Sequence, residues 1–199
     1  MVDLIEIRQT VGSRIADPIV GLLSRSGIRP DALTFTSLAL SVAAAYFIAT
    51  GNFVLSGVLV LVSGLFDLLD GALARFTKQT TKFGAILDST VDRVSEAAVF
   101  CGLLIWYTPR GAALEAVTIF AALIGSFLVS YIRARGEGLG LECRVGLFTR
   151  AERVIVLAIG LLANQVLVAL WLLIAFVYVT VAQRLIHLWK QAKGRSADN

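Results

Sequence analysis

The chain carries apolar stretches too long to bury inside a soluble domain of its size, and that decides most of what it can fold into. Residues 33–49, 53–66 and 166–182 are nearly free of charge. A helix needs about 20 predominantly apolar residues to cross the ~30 Å hydrocarbon core of a bilayer. Six such segments can be drawn, at about 32–50, 53–76, 84–107, 111–136, 148–163 and 166–190. Composition agrees: 57% of the 199 residues are hydrophobic and 16% charged, against roughly 45–50% and about 25% in soluble domains. Disorder, a collagen-like fibre and a disulfide scaffold are excluded, the last because Cys101 and Cys143 are the only cysteines. The expected fold is an all-α integral membrane protein. It forms one membrane domain over residues 1–199, with the six-helix bundle at 32–190.

Charge placement orients the bundle. Seventeen of the 18 Lys and Arg fall into four blocks: before the first segment, around the loop joining the second and third, around the loop joining the fourth and fifth, and toward the end of the chain in and after the sixth. Arg110 is the exception. Six spans put all four blocks on one side, and the positive-inside rule makes that side cytoplasmic. The reading is therefore a multi-pass protein of the cell membrane with both termini in the cytoplasm. Residues 1–25 lack the continuous apolar core of a signal peptide. Leu4, Ile7, Val11, Ile15, Ile19 and Leu22 instead recur at helical spacing, which predicts an amphipathic helix on the inner membrane face. Two segments are irregular. The third carries Asp88, Asp92, Arg93 and Glu96 in its first half. The fifth is short, and is expected to begin near Phe148 with Glu152 and Arg153 in its first turns.

The informative charges are acidic. Asp67 and Asp70 share a face of the second helix, and Asp88 and Asp92 share a face of the third. The loop between them centres near residues 79–80, so 67 matches 92 in depth and 70 matches 88. Two antiparallel helices would set the four carboxylates in two facing layers. Asp67 stands nine residues before Phe76, ~13 Å inside the helix. Carboxylates at that depth are costly and repel one another. A pair of divalent cations offsets both effects, because Mg²⁺ takes oxygen ligands and is often shared between carboxylates and substrate phosphates. With no His or Cys cluster, zinc and copper are disfavoured. Gly71, Ala72, Ala74, Gly84 and Ala85 leave room for close helices or for a phosphate to reach the backbone. Arg75 can reach a phosphate or snorkel to the interface.

These residues resemble a known signature. The pattern D-x2-D-G-x2-A-R-x8-G-x3-D-x3-D is met at every fixed position by Asp67, Asp70, Gly71, Ala74, Arg75, Gly84, Asp88 and Asp92. It is similar to that of the CDP-alcohol phosphotransferases. The resemblance implies six membrane helices behind a juxtamembrane amphipathic helix, a homodimer, and an active site open to the cytoplasm and inner leaflet. It implies that Asp67, Asp70 and Asp88 ligate two ions, Mg²⁺ or Mn²⁺, with Asp92 touching one of them. Asp92 would also be the general base that takes the acceptor's proton. Gly71, Ala74, Arg75, Thr81 and Gly84 would hold the CDP-lipid. The run Arg29-Pro30-Asp31-Ala32-Leu33-Thr34 resembles the family's entry to the first span, so Asp31, Ala32, Leu33 and Thr34 would help hold the nucleotide. Asp31 also reads as a helix cap after a proline turn.

The implied reaction is attack of an alcohol on the lipid-side phosphorus of a CDP-lipid, with CMP leaving. Residues 87–96 resemble the branch that accepts inositol phosphate. A phosphorylated polyol acceptor calls for arginines, which bind phosphate bidentately. By similarity Arg133, Arg153 and Arg184 would grip that phosphate, joined by Arg135 and Arg150. Positive-inside topology accounts for the loop arginines as well. Glycerol 3-phosphate is the alternative acceptor, and a cation transporter built on the aspartates is the alternative from another class. No nucleic-acid partner is expected. His187 and Cys143 read as structural.

Overall fold

The structure is a computed structural model and describes residues 20–21, 23–24, 28–143 and 145–197. All regular elements among the described residues are helical. They are α1 (Pro30–Ala49), α2 (Phe53–Phe76), α3 (Lys82–Tyr107), α4 (Ala113–Gly138), α5 (Arg150–Leu162) and α6 (Val166–Ala197). A 3-10 turn, Thr108–Arg110, joins α3 to α4. The interfacial helix expected over residues 1–25 lies outside the described residues, apart from four helical positions at 20, 21, 23 and 24.

Local chemistry sets where the helices start. The Asn52 side chain accepts from Leu55 N at 3.3 Å, and Thr81 Oγ1 accepts from Gly84 N at 2.9 Å, each satisfying an end N–H of its helix. α1 begins directly on Pro30, with Arg29 as the flanking residue and no side-chain cap. Asp31 is therefore not the cap that the sequence suggested. It lies in the first turn, where its charge favours the positive end of the helix. α5 starts two residues later than expected. Thr149 and Glu152 form a reciprocal capping box there, while Phe148 stays in the preceding loop, its N–H donating to Thr180 Oγ1 at 3.1 Å. The resulting α5 has 13 residues, about 20 Å long. Among the described residues four helices, α1, α2, α4 and α6, are long and apolar enough to cross a membrane.

Traced through their contacts, the helices close into a ring in the order α1, α2, α5, α6, α4, α3. α2 and α3, which carry the aspartates, have little direct contact and instead lean on α1. The main core lies inside the ring, with Ile48, Phe100, Leu103, Ile119, Leu161 and Leu170 among its fully buried members. Large apolar side chains such as Phe35, Val58, Val117, Phe120, Val168 and Leu172 face outward, as expected where the surroundings are lipid. Hydroxyls tie α1 to α2: Ser63 Oγ donates to Ser37 O at 2.9 Å and lies 2.7 Å from Ser41 Oγ. Arg110, the one basic residue outside the four blocks, stacks on Trp106 with its guanidinium 3.3 Å from the ring centroid.

Two glycines let helices approach. A Cβ on Gly102 of α3 would lie 2.5 Å from Ala45 O of α1, and one on Gly57 of α2 would lie 3.0 Å from Ala158 O of α5. Both obstacles are backbone, which cannot rotate aside. Gly102→Ala is expected to lower the thermal unfolding midpoint in detergent, with a loss of about 1–3 kcal/mol typical of overpacking. An unchanged midpoint would show that α1 and α3 do not meet this closely.

Candidate active site

Helical periodicity brings the four aspartates to the gap between α2 and α3. Carboxylate oxygens of Asp67, Asp70 and Asp88 lie within 4.8 Å of one another. Asp92 joins them through Arg150, whose Nη1 donates to Asp67 Oδ2 and lies 2.8 Å from Asp92 Oδ1. The Asp92 contact lacks hydrogen-bond geometry, so it is coulombic. The depth matching read from the sequence is thus seen in both layers. Asp70 is 2% exposed and accepts from Thr34 Oγ1 at 2.7 Å. That bond uses the hydroxyl's single proton to aim the Asp70 carboxylate from α1.

The donor set suits a hard divalent cation. Three carboxylates converge, and the direct side-chain hydrogen bonds made to them are those of the Thr34 hydroxyl and the Arg150 guanidinium. Asp67 Oδ1 is buried with no hydrogen-bond partner at all, which is costly unless a cation sits against it. An all-oxygen set selects Mg²⁺ or Mn²⁺ over thiophilic metals. Asp67, Asp70 and Asp88 would hold such an ion, with Asp92 at the edge of the group.

Beside the aspartates opens a cavity of about 190 Å³. Asp31, Thr34, Gly71, Ala74, Arg75, Thr81 and Gly84 line it, together with Asp70 and Asp88. The nucleotide-binding set read from the sequence therefore gathers here, with two exceptions. Ala32 is exposed and does not line the cavity. Leu33 is buried against Val20, Leu69 and Leu73, because the turn of α1 that points Thr34 inward points Leu33 into packing. A Cβ on Gly71 would meet nothing closer than Arg75 Nη1 at 3.4 Å. Packing does not demand glycine there, and its absence of a side chain leaves the backbone open to the cavity. Gly84 is different, since its Cβ would lie 2.9 Å from the capping hydroxyl of Thr81. Pro30, Gln79, Thr80 and Ala85 also line the cavity. Ala85 was read as leaving room for a phosphate and Pro30 as part of the entry to the first span, whereas Gln79 and Thr80 were not singled out, although their nearness to the motif in sequence was a signal.

The arginines divide by partner. Arg153 makes a two-point pair with Glu96, at 2.8 and 3.1 Å, and its side chain is 3% exposed. Arg184 donates through Nε to Val145 O at 3.0 Å and through Nη1 to Val129 O. It thereby pins the 139–149 loop to α4 and α6. Arg133 pairs with Glu137 at 2.8 Å on an exposed face, and Arg135 is exposed on α4. Arg150 sits with the aspartates rather than in a separate phosphate cluster. His187 and Cys143 take structural places: His187 Nε2 lies 3.2 Å from Glu142 O, and burial pushes the Cys143 thiol up. Sequence reading did not single out Glu96 as a partner. The signal was present, because Asp92 and Glu96 are i, i+4 on α3 and Arg150 and Arg153 are i, i+3 on α5, so two charged rungs can match.

A groove of about 430 Å³ opens on the other side, between α2 and α5. Asp67, Asp92 and Arg150 form its polar floor, and Leu61, Leu65, Leu68, Val154 and Ile155 supply apolar walls.

The chain is similar to known proteins over most of its length. The sequence model described as CDP-alcohol phosphatidyltransferase matches residues 28–189. An archaetidylinositol phosphate synthase of Methanothermobacter thermautotrophicus is 37% identical over 186 residues, covering 90% of this chain and 91% of its own. The crystal structure of Mycobacterium tuberculosis phosphatidylinositol phosphate synthase with CDP-DAG bound superposes with a TM-score of 0.77 at 37% identity, covering 88% of this chain and 94% of that one. The same enzyme in complex with manganese and citrate gives a TM-score of 0.76 at 36% identity, over 86% and 88% of the two chains.

Removing one partner of the buried Glu96–Arg153 pair leaves an uncompensated charge, which costs about 3–5 kcal/mol. Glu96→Gln is therefore expected to unfold at clearly lower temperature in detergent than the wild type. Equal midpoints would mean that the pair carries no structural weight.

Proposed function

The chain belongs to the CDP-alcohol phosphatidyltransferase family, and on that footing we propose that it transfers a phosphatidyl-type group from a CDP-lipid to inositol 1-phosphate, releasing CMP. The observation that carries the reading is the convergence of Asp67, Asp70 and Asp88 at the mouth of a cavity lined by Thr34, Gly71 and Arg75. The lipid portion, diacylglycerol or archaeol, lies along the apolar walls of the α2–α5 groove, whose floor is Asp67 and Asp92.

Each group then has work to do. Gly71 lets a phosphate approach the backbone, and Arg75 meets its charge. Thr34 keeps Asp70 aimed at the gap. Asp67, Asp70 and Asp88 would hold divalent metal, which when bound would offset the pyrophosphate charge and the charge that develops on its oxygens. Asp92 takes the proton from the acceptor hydroxyl. The freed oxygen bonds to the lipid-side phosphorus as the bond to the CMP oxygen breaks. A carboxylate is a weak base, so holding donor and acceptor in line supplies much of the rate. The acceptor's phosphate is assigned to the basic region of α4, α5 and α6, where the charges of Arg133 and Arg153 act on Arg184.

We read the six helices as six spans with both termini and the site on the cytoplasmic side. An even number of crossings keeps all four basic blocks together. α3, with 26 residues, is long enough despite its charges. The 13 residues of α5 cross with help from the buried loop around Phe148.

Incubating purified protein with CDP-diacylglycerol, Mn²⁺ and either inositol 1-phosphate or glycerol 3-phosphate tests the reading. CMP release is expected with inositol 1-phosphate and to disappear on chelation of the metal. Release with glycerol 3-phosphate alone would overturn the acceptor. Asp92→Asn is expected to abolish turnover while Mn²⁺ still binds; persistent turnover would remove Asp92 from the role of base.

A further inference from the structure

Arg150 occupies a place that the transfer reaction does not explain. Its Nη1 donates to Asp67 Oδ2 and lies 2.8 Å from Asp92 Oδ1, so one guanidinium bridges α2 and α3 across the gap. Its Nε is buried without a hydrogen-bond partner. It is also the first residue of α5, where the positive helix end disfavours a cation. Its own surroundings therefore do not hold it there. The attraction of two carboxylates does.

Those carboxylates have another claimant. Asp67 is one of the three residues that gather within 4.8 Å, and it is also the acceptor for Arg150. Asp92 meets the cluster on the Arg150 side. A guanidinium and a divalent ion cannot share the same oxygens, since both need the same lone pairs and like charges repel strongly in a site shielded from water.

We propose that Arg150 is a displaceable counter-ion. It neutralises the Asp67–Asp92 edge until a second divalent cation takes that edge, and it then withdraws. The inference rests on the metal reading given above. Arg150 has room to move, because it lines the open 430 Å³ groove as well as a smaller cavity of about 30 Å³ shared with Ser63, Ser95 and Glu96. Withdrawn, its N–H groups are free to meet a phosphate oxygen in the groove. Metal loading thus prepares the site for an anionic substrate, and by linkage that substrate favours metal loading. The second ion binds only the fraction of molecules in which Arg150 has left, so its apparent affinity is reduced by that fraction.

Mn²⁺ binding followed by electron paramagnetic resonance, without substrate, tests this directly. The wild type is expected to show one tighter and one weaker site. Arg150→Gln should tighten the weaker site about tenfold or more, the range expected for losing a close buried charge pair, and leave the tighter site nearly unchanged. Arg150→Lys, which keeps the charge but loses the planar fork, should fall between them. Arg93→Gln removes an equal charge 3.7 Å from Asp92 that makes no bridge to Asp67, and should shift the weaker site much less. Equal effects of Arg93→Gln and Arg150→Gln, or no change in either Arg150 variant, would overturn the inference and leave the metal site standing. A wild type that binds no Mn²⁺ would overturn both.

Discussion

Four carboxylates face one another inside a bundle whose outer surface is apolar, and neutralising them is the constraint that the rest of the structure serves. Each element near the gap contributes something positive or polar to it. α1 sends Thr34 to Asp70. α5 sends Arg150 to Asp67 and Asp92. Even so, Asp67 Oδ1 has no protein partner. The protein groups compensate only part of the charge, and the all-oxygen donor set suits a divalent cation that would offset the rest.

The ring of helices follows from that need. α2 and α3 cannot pack tightly on each other without crushing the carboxylates together, so they lean on α1 and leave a gap. Small residues make the leaning possible, with Gly102 against Ala45 and Gly57 against Ala158 and Leu162. α5 closes the far side through charge: Arg150 toward Asp92 and Arg153 toward Glu96 form two rungs to α3. The paired groups of the deeper rung are almost fully buried, so this clamp is rigid, whereas the rung at Asp92 borders open space. The site is therefore firm beneath and adjustable at its mouth.

Much of the site was legible in the sequence because it rests on helical spacing. The faces shared by Asp67 and Asp70, and by Asp88 and Asp92, follow from 3.6 residues per turn. Their depth matching follows from a short connecting loop. Gly71, Arg75 and Thr81 lie close enough to the aspartates in sequence that they had to share the cavity. The misreadings share a cause as well. Motif position suggested that 31–34 act together, but a helix turns about 100° per residue, so Leu33 packs inward while Thr34 faces Asp70. The start expected near Phe148 gave way to a capping box one residue later, since Thr149 and Glu152 satisfy the end of α5 reciprocally.

The sequence by itself determined that this chain is a helical membrane protein of the CDP-alcohol phosphatidyltransferase type and which aspartates share a helix face. Those properties depend on composition and on short-range periodicity, which a linear string carries. Tertiary structure alone decided which arginine meets which acid. Glu96 and Arg153 stand 57 residues apart, and Asp67 and Arg150 stand 83 apart. Which charges pair depends on how the helices close into a ring, and closing the ring depends on packing that no local pattern encodes.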